Sequence, residues 1–349
     1  MTVHLISVGL SVLRALEDPE KLKSDPGFRD KVAGARAHEL LAAEGIDDLD
    51  SGRVLASQWI ADALAGGDAG PASRLRGVAD DIRPHDWPQN MSAELDTFAK
   101  VQHILKSGRG FELGRDDIVV LICSDTRDGL LAGAWNAIAI AGGTLSRVSY
   151  VPDLSVPFGK EIGASLRGRV TMVRVDGMDA GAEGFRTAMK GLGLLARRLF
   201  QSGSLNRDEG FQFILSGGFK AVIPYLIGLA ETVRSVDDAC LADIGVPELT
   251  PAPVPYPVTA WVQHETTMGS GPPIQLPLRR LLAEVARQEV SGYDEESGER
   301  DDPLGTTFLE GYAFDIKKKK FGGRRYYKLT PFGEGLAAFL GVSHERPGG

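Results

Sequence analysis

One stretch, residues 211–230 (FQFILSGGFKAVIPYLIGLA), most limits what this chain can fold into. Phe211–Leu215 is a short apolar run bounded by turn residues, which is typical of a buried strand. Ser216-Gly217-Gly218 can form a tight turn that brings the backbone close to a ligand, and the apolar run that follows predicts a helix over Phe219–Leu229. A strand, a glycine turn and a helix in this order point free backbone N–H groups at an anion.

Lys220 admits two interpretations. We place it in the first turn of the predicted helix, where the helix dipole disfavours a cation. An anionic ligand at the same position would reverse that penalty. The simpler interpretation is a solvent-exposed lysine after an ordinary strand–helix turn, and this stretch alone leaves both open.

The rest of the chain predicts strands and helices in alternation. Ile118–Cys123 is an unbroken apolar run, which suits a sheet covered on both faces. Further strands are predicted at Val3–Val8, Arg147–Val151 and Arg169–Val175, and further helices at Ala93–Leu105 (capped by Ser92), Arg127–Ala141 and Ala180–Phe200. This alternation predicts an α/β fold of the Rossmann-like kind with a mostly parallel sheet.

A proline-dense segment, Thr250–Pro257, predicts a boundary between two domains, residues 1–248 and residues 249–349. In the second domain we expect an amphipathic helix over Leu276–Val290. Gly311–Ile316 and Arg325–Leu329 alternate around a glycine pair, which predicts a hairpin. A helix with a basic hairpin resembles the wing of a winged-helix module.

Composition narrows the classes of function. The net charge of −8 argues against a general nucleic-acid binder. The cations are concentrated, however, at Lys317–Lys320 and Arg324-Arg325. This run is a candidate nucleic-acid contact, a solvated hairpin tip, or a cover for a bound anion. The chain has two cysteines, too few for a disulfide scaffold or a thiolate metal site. It also lacks a secretory signal and a membrane-spanning run, so we expect a cytoplasmic protein without a membrane partner.

Three predicted strand ends carry small polar residues or glycine: Ser7–Ser11, Ser124–Arg127 and Ser216–Lys220. Ligands of open α/β sheets bind beyond the carboxyl ends of the strands. Hydroxyls, backbone N–H groups and a lysine at such a place suit phosphates. One polar strand end is ordinary. Three of them, without a GxGxxG or GxxxxGK[ST] motif, favour a phosphate ligand that is neither a standard dinucleotide nor ATP.

The same residues resemble the CRISPR-associated Rossmann fold (CARF) family. The resemblance is carried by Ser7-Val8-Gly9-Leu10-Ser11, by Ser124-Asp125-Thr126, and by Gly217-Gly218-Phe219-Lys220-Ala221 followed by Ile223-Pro224-Tyr225. It covers roughly residues 1–235. It implies a homodimer that binds cyclic tetra-adenylate on its two-fold axis. A two-fold ring suits an isologous interface, because each strand end is then used twice.

Stand-alone members of that family cleave the ring they bind without a metal or cofactor. The ribose 2′-hydroxyl attacks the adjacent phosphate, and the products are linear, with a 2′,3′-cyclic phosphate. By resemblance, Ser11 would hold or orient the scissile phosphate and Lys220 would neutralise developing charge. The implied ligand-binding set is Gly9, Leu10, Ser11, Ser124, Asp125, Thr126, Arg127, Gly217, Gly218, Phe219 and Lys220. For Arg127, an ion pair with a surface carboxylate is an equal alternative.

The C-terminal part separates this ring-nuclease hypothesis from two others. Many relatives carry a nuclease domain with an Arg-x₄₋₆-His motif, and the sequence after residue 250 has none. A second hypothesis is a ring-activated sensor whose C-terminal module binds nucleic acid. A third is a ring-activated metal nuclease that uses Asp302, Asp315 and Lys317, because carboxylates are ligands for Mg²⁺.

Overall fold

The predicted alternation of strands and helices is present in the structure. The computed structural model describes residues 2–17, 49–67, 70–81, 92–105, 113–155, 165–178, 182–202, 205, 209–217, 222–236, 257–263, 270–281, 283–294, 297–301, 304, 307–318 and 325–342. The main sheet contains β1 (Thr2–Ser7), β2 (Ile118–Ser124), β3 (Val148–Val151), β4 (Arg169–Val175), β5 (Gly210–Ile214), β6 (Val258–Val262) and β7 (Ile274–Leu276). Their order is β3-β4-β2-β1-β5-β6-β7, and each pair is parallel except β6 with β7. The predicted α/β class and mostly parallel sheet are therefore confirmed.

Helices cover both faces of this sheet. They are α1 (Ser11–Glu17), α2 (Leu49–Ala65), α3 (Gly70–Asp81), α4 (Ala93–Ile104), α5 (Arg127–Ile140), α6 (Ala182–Gln201), α7 (Ile223–Ser235), α8 (Ala283–Val290) and α9 (Pro331–Leu340). Helices α1–α5 contribute to one hydrophobic core and α6–α9 to another. Strand β1 serves both, since Val3 and Leu5 lie in one core and Ile6 in the other. None of the helices that the structure describes is long and apolar enough to cross a membrane.

The chain changes face between two neighbouring strands, β1 and β5. The helix that follows β1 packs into one core, and α7, which follows β5, packs into the opposite one. A crevice forms at such a switch point, beyond the carboxyl ends of the strands. The topology therefore directs attention to the ends of β1 and β5.

Two helix starts define the local geometry there. Helix α4 begins as predicted, with Ser92 as its N-cap and the Leu95 N–H donating to Ser92 Oγ at 3.0 Å. Helix α7 begins at Ile223 among the described residues, and Phe219, where the sequence predicted the start, lies outside them. Pro224 stands in the first turn of α7, which suits proline because it lacks an N–H and the N–H at that position would have no partner.

The main sheet continues past the expected domain boundary, because β6 pairs with β5 and β7 pairs with β6, both from residues beyond 249. A second, antiparallel sheet has the order β8-β10-β9, formed by β8 (Glu299–Arg300), β9 (Phe314–Lys318) and β10 (Arg325–Leu329). The predicted hairpin is thus present. The helix predicted over Leu276–Val290 is present only as α8, since β7 and Pro277 occupy its first part. Residues 251–256, within the expected linker, lie outside the described residues.

Candidate functional site

The three predicted strand ends belong to three consecutive strands, β2, β1 and β5. Ile6 of β1 pairs with Leu121 of β2 on one side and with Ile214 of β5 on the other. The Val8 N–H donates to the Ile122 carbonyl at 3.0 Å, which keeps the end of β1 beside β2. Because parallel strands end at the same edge, the polar residues after these strands lie at one edge of the sheet.

The end of β1 binds a carboxylate of the chain itself. The Gly9 N–H donates to Glu94 Oε1 at 2.5 Å, and the Ser11 hydroxyl donates to Glu94 Oε2 at 2.6 Å. Ser11 Oγ also accepts the Ala93 N–H at 3.2 Å. Leu10, between them, is 36% exposed, and Gly9 and Ser11 are partly buried. Two groups predicted to meet a ligand, the Gly9 N–H and the Ser11 hydroxyl, therefore bind Glu94.

Glu94 is 0% exposed and lies in the first turn of α4. A carboxylate there interacts favourably with the helix dipole. Burial raises the pKa of the Glu94 carboxyl above its ordinary value, and the hydrogen bonds from Ser11 and Gly9 act in the opposite direction. Ser92, which caps the same helix, donates its hydroxyl to Asn136 Oδ1 of α5 at 2.8 Å. These bonds fix the start of α4 against both β1 and α5.

Gly217, at the end of β5, completes this arrangement. Its carbonyl accepts the Ser7 hydroxyl at 2.6 Å. A Cβ atom at position 217 would overlap Glu94 Oε1 and would lie 2.6 Å from the Ser7 carbonyl oxygen. Only glycine leaves room here for the Glu94 carboxylate.

The residues after β2 are engaged in starting α5. Thr126 caps this helix by accepting the Gly129 N–H at 3.1 Å, and Ser124 and Thr126 share a hydrogen bond of 2.9 Å between their hydroxyls. The Arg127 guanidinium pairs with the Asp128 carboxylate at 2.9 Å, an ion pair of the kind that one of its two interpretations predicted. Asp125 lies at the same edge and is partly buried.

Three predicted site residues, Gly218, Phe219 and Lys220, lie outside the described residues. Of the two candidate catalytic residues, the structure therefore places Ser11 only. The metal-nuclease hypothesis uses three residues. Two of them, Asp315 and Lys317, form an ion pair at 3.0 Å, and the third, Asp302, lies outside the described residues. Among the described residues, no group of three or more His, Cys, Asp or Glu side chains is arranged to hold a metal ion.

Sequence reasoning named Ser216 but missed two of its partners at this edge, Thr97 and Gln263. Ser216 Oγ accepts the Thr97 hydroxyl at 2.7 Å and the Gln263 N–H at 3.0 Å, which ties α4 and the end of β6 to β5. It also missed that Glu94 reaches Ser11. The position of Glu94 in the first turn of a capped helix is a local signal for a helix start, but it does not identify a partner 83 residues away.

No protein-family model matches this chain, and a comparison with curated proteins gives no match either.

Proposed function

We propose that this chain is a metal-independent ring nuclease. Two copies bind cyclic tetra-adenylate at their shared interface, and the ribose 2′-hydroxyl attacks the adjacent phosphate. The products are linear di-adenylates with a 2′,3′-cyclic phosphate. The reaction removes the second messenger of type III CRISPR antiviral signalling. The resemblance of three motifs to the CARF family suggests this activity.

One observation carries the proposal: the described residues of the three motifs follow three consecutive strands, beside the point where the chain changes face. The sequence around each motif does not determine which strands lie next to each other in the sheet. Ligands of open α/β sheets bind at this position. The Gly9 N–H and the Ser11 hydroxyl lie at this edge, and both donate to the Glu94 carboxylate.

The protein's contribution to such a reaction is geometric and electrostatic. It holds the 2′-oxygen, the phosphorus and the leaving 5′-oxygen in line, and it stabilises the charge that develops on the phosphate. Lys220 follows Gly217 by three residues in the sequence. We propose that it neutralises the developing charge.

The test is cleavage of cyclic tetra-adenylate by purified protein in EDTA. The proposal predicts linear di-adenylate from the wild-type protein, and a rate about 10²–10³-fold lower for Lys220→Ala, the usual cost of losing one such donor. Lys190→Ala is the control, because Lys190 is exposed and its partner Glu334 keeps Arg186. Ring that stays intact after prolonged incubation with wild-type protein would contradict the proposal.

A second candidate function is a ring-activated sensor with a winged-helix-like C-terminal module that binds or cleaves nucleic acid. One observation favours it. Lys318 and Arg325 are directly opposed across β9 and β10, and both are exposed. Like charges in this position repel each other, and a polyanion would relieve the repulsion. This candidate predicts a ring-dependent mobility shift of DNA that is lost in Lys318→Glu/Arg325→Glu. DNA that is not shifted, with or without ring, would count against it.

A further inference from the structure

Glu94 and Ser11 form a pair in which one member is enclosed and the other is accessible. Glu94 is 0% exposed, whereas Ser11 is only partly buried and follows the exposed Leu10. The Ser11 hydroxyl donates to Glu94 Oε2 at 2.6 Å. Among the described residues, a ligand at the end of β1 would therefore meet the Ser11 oxygen before the enclosed carboxylate.

The hydrogen bonds of Ser11 decide what it can offer a ligand. A hydroxyl has one donor hydrogen and two acceptor lone pairs. The hydrogen is given to Glu94, and one lone pair accepts the Ala93 N–H at 3.2 Å. The remaining lone pair can accept a hydrogen bond from a ribose 2′-hydroxyl. It cannot donate to a phosphate oxygen while Glu94 holds the hydrogen.

We infer that Glu94 is the proton acceptor of the ring-opening reaction and acts through Ser11; the inference rests on the proposed function. As the 2′-oxygen bonds to phosphorus, its proton passes to Ser11 Oγ, and the Ser11 proton passes to Glu94 Oε2. The bond between phosphorus and the 5′-oxygen breaks, and the 5′-oxygen takes a proton from water. The hydroxide that is left takes the Ser11 proton, and Ser11 recovers a proton from Glu94, which restores the carboxylate. Ser11 is then a catalytic residue and Glu94 a positioning residue.

Three features of the structure favour this assignment. A Cβ atom at position 217 would overlap Glu94 Oε1, so the glycine there leaves space for the carboxylate. The Gly9 N–H holds the other carboxylate oxygen, so Oε2 stays directed at Ser11. Burial raises the pKa of Glu94, which makes its carboxylate a stronger base than an exposed one.

Among the described titratable groups on the neighbouring elements, four are neutral or paired with a cation. On β1, His4 is buried, and burial lowers its pKa to about 3. On β2, burial first and the charge of Glu94 second raise the pKa of the Cys123 thiol to about 12. Asp96 of α4 is paired with Lys100 at 2.7 Å, and Asp128 of α5 with Arg127 at 2.9 Å.

The test is single-turnover cleavage of cyclic tetra-adenylate by Glu94→Gln. Glutamine is isosteric and keeps a carbonyl that can accept the Gly9 N–H, but it cannot take the proton from Ser11. We expect the rate to fall by about 10²–10⁴-fold, the usual range for a lost general base. Ring affinity should stay unchanged, and the rise of the rate with pH that follows ionisation of Glu94 should disappear. Glu334→Gln is the control: Glu334 is equally buried but binds Arg186 and Lys190 of α6.

The outcomes separate this inference from the proposed function. Wild-type protein that leaves the ring intact removes both. Wild-type protein that cleaves it, together with a Glu94→Gln variant of unchanged rate and pH profile, removes only the inference. If Glu94→Gln does not fold, as judged by circular dichroism, Ser11→Ala takes its place. The relay predicts that this variant binds the ring but cleaves it about 10²–10⁴-fold more slowly, and a wild-type rate would overturn it.

Discussion

At position 217, the sequence and the structure give different physical reasons for a glycine. The turn after β5 was expected to be glycine-rich so that the backbone could approach a ligand. The structure gives a nearer cause: a side chain at 217 would overlap Glu94 Oε1 and crowd the Ser7 carbonyl. The glycine thus makes room for a carboxylate, which in turn holds Gly9 and Ser11.

His4 is a second residue whose burial has a measurable consequence. Its ring is buried in β1, its Nδ1 has no hydrogen-bond partner, and it packs edge-on against Phe98. Burial lowers the pKa of His4 from its ordinary 6.5 to about 3. The unfolded chain therefore binds more protons than the folded one between these two values, and stability falls as pH falls through this window. From pH 7 to pH 5 the predicted contribution of His4 is a loss of about 2 kcal/mol.

The measurement is urea unfolding of wild-type protein and His4→Leu at pH 7 and pH 5. The wild-type protein should lose more stability than the variant over this interval, because leucine does not titrate. His103→Gln is the control, since His103 is exposed on α4. Equal losses for the wild-type protein and His4→Leu would show that His4 does not remain neutral in the folded state.

Among the secondary-structure elements, the contact of α6 with α9 depends most clearly on missing side chains. A Cβ atom on Gly193 of α6 would overlap the carbonyl oxygen of Gly335, and one on Gly335 of α9 would lie 2.6 Å from the Met189 carbonyl. We predict that Gly193→Ala destabilises the protein by about 1–3 kcal/mol in urea unfolding, the usual cost of overpacking. The gain of alanine over glycine in a helix is smaller, about 0.5–1 kcal/mol.

Gly77→Ala separates the two effects. Gly77 is an exposed residue of α3, and a Cβ atom there would meet nothing within 4 Å. Only the helix gain applies, so this variant should be as stable as the wild-type protein or more stable. A Gly193→Ala variant that is stabilised to the same degree would show that α6 and α9 are not in close contact.

The secondary-structure elements differ in how well the sequence predicted them. Strands β2 and β4 were predicted almost to the residue, since an apolar run between turn residues is a local signal. The sequence did not predict that β6 and β7 join the main sheet, because strand order follows from packing between distant segments. The same applies to the site. The polar strand ends could be identified locally, but the contact of Ser11 with Glu94 depends on how α4 packs beside β1.

In the molecule as a whole, segments that are distant in the sequence pack together. The C-terminal helix α9 lies in the same hydrophobic core as α6 and α7. It also presents the buried Glu334 to Arg186 and Lys190 of α6. The described residues beyond 249 therefore pack on the main sheet. They cover the face opposite α1–α5, and the edge with the ends of β2, β1 and β5 is where we place the ligand.

The most direct test of that placement and its chemistry is cleavage of cyclic tetra-adenylate in ¹⁸O-labelled water with EDTA, followed by mass spectrometry. Attack by the 2′-hydroxyl predicts linear di-adenylate with a 2′,3′-cyclic phosphate and no label in the first product, because water supplies only a proton. Intact ring, or a first product that carries ¹⁸O, would contradict the account.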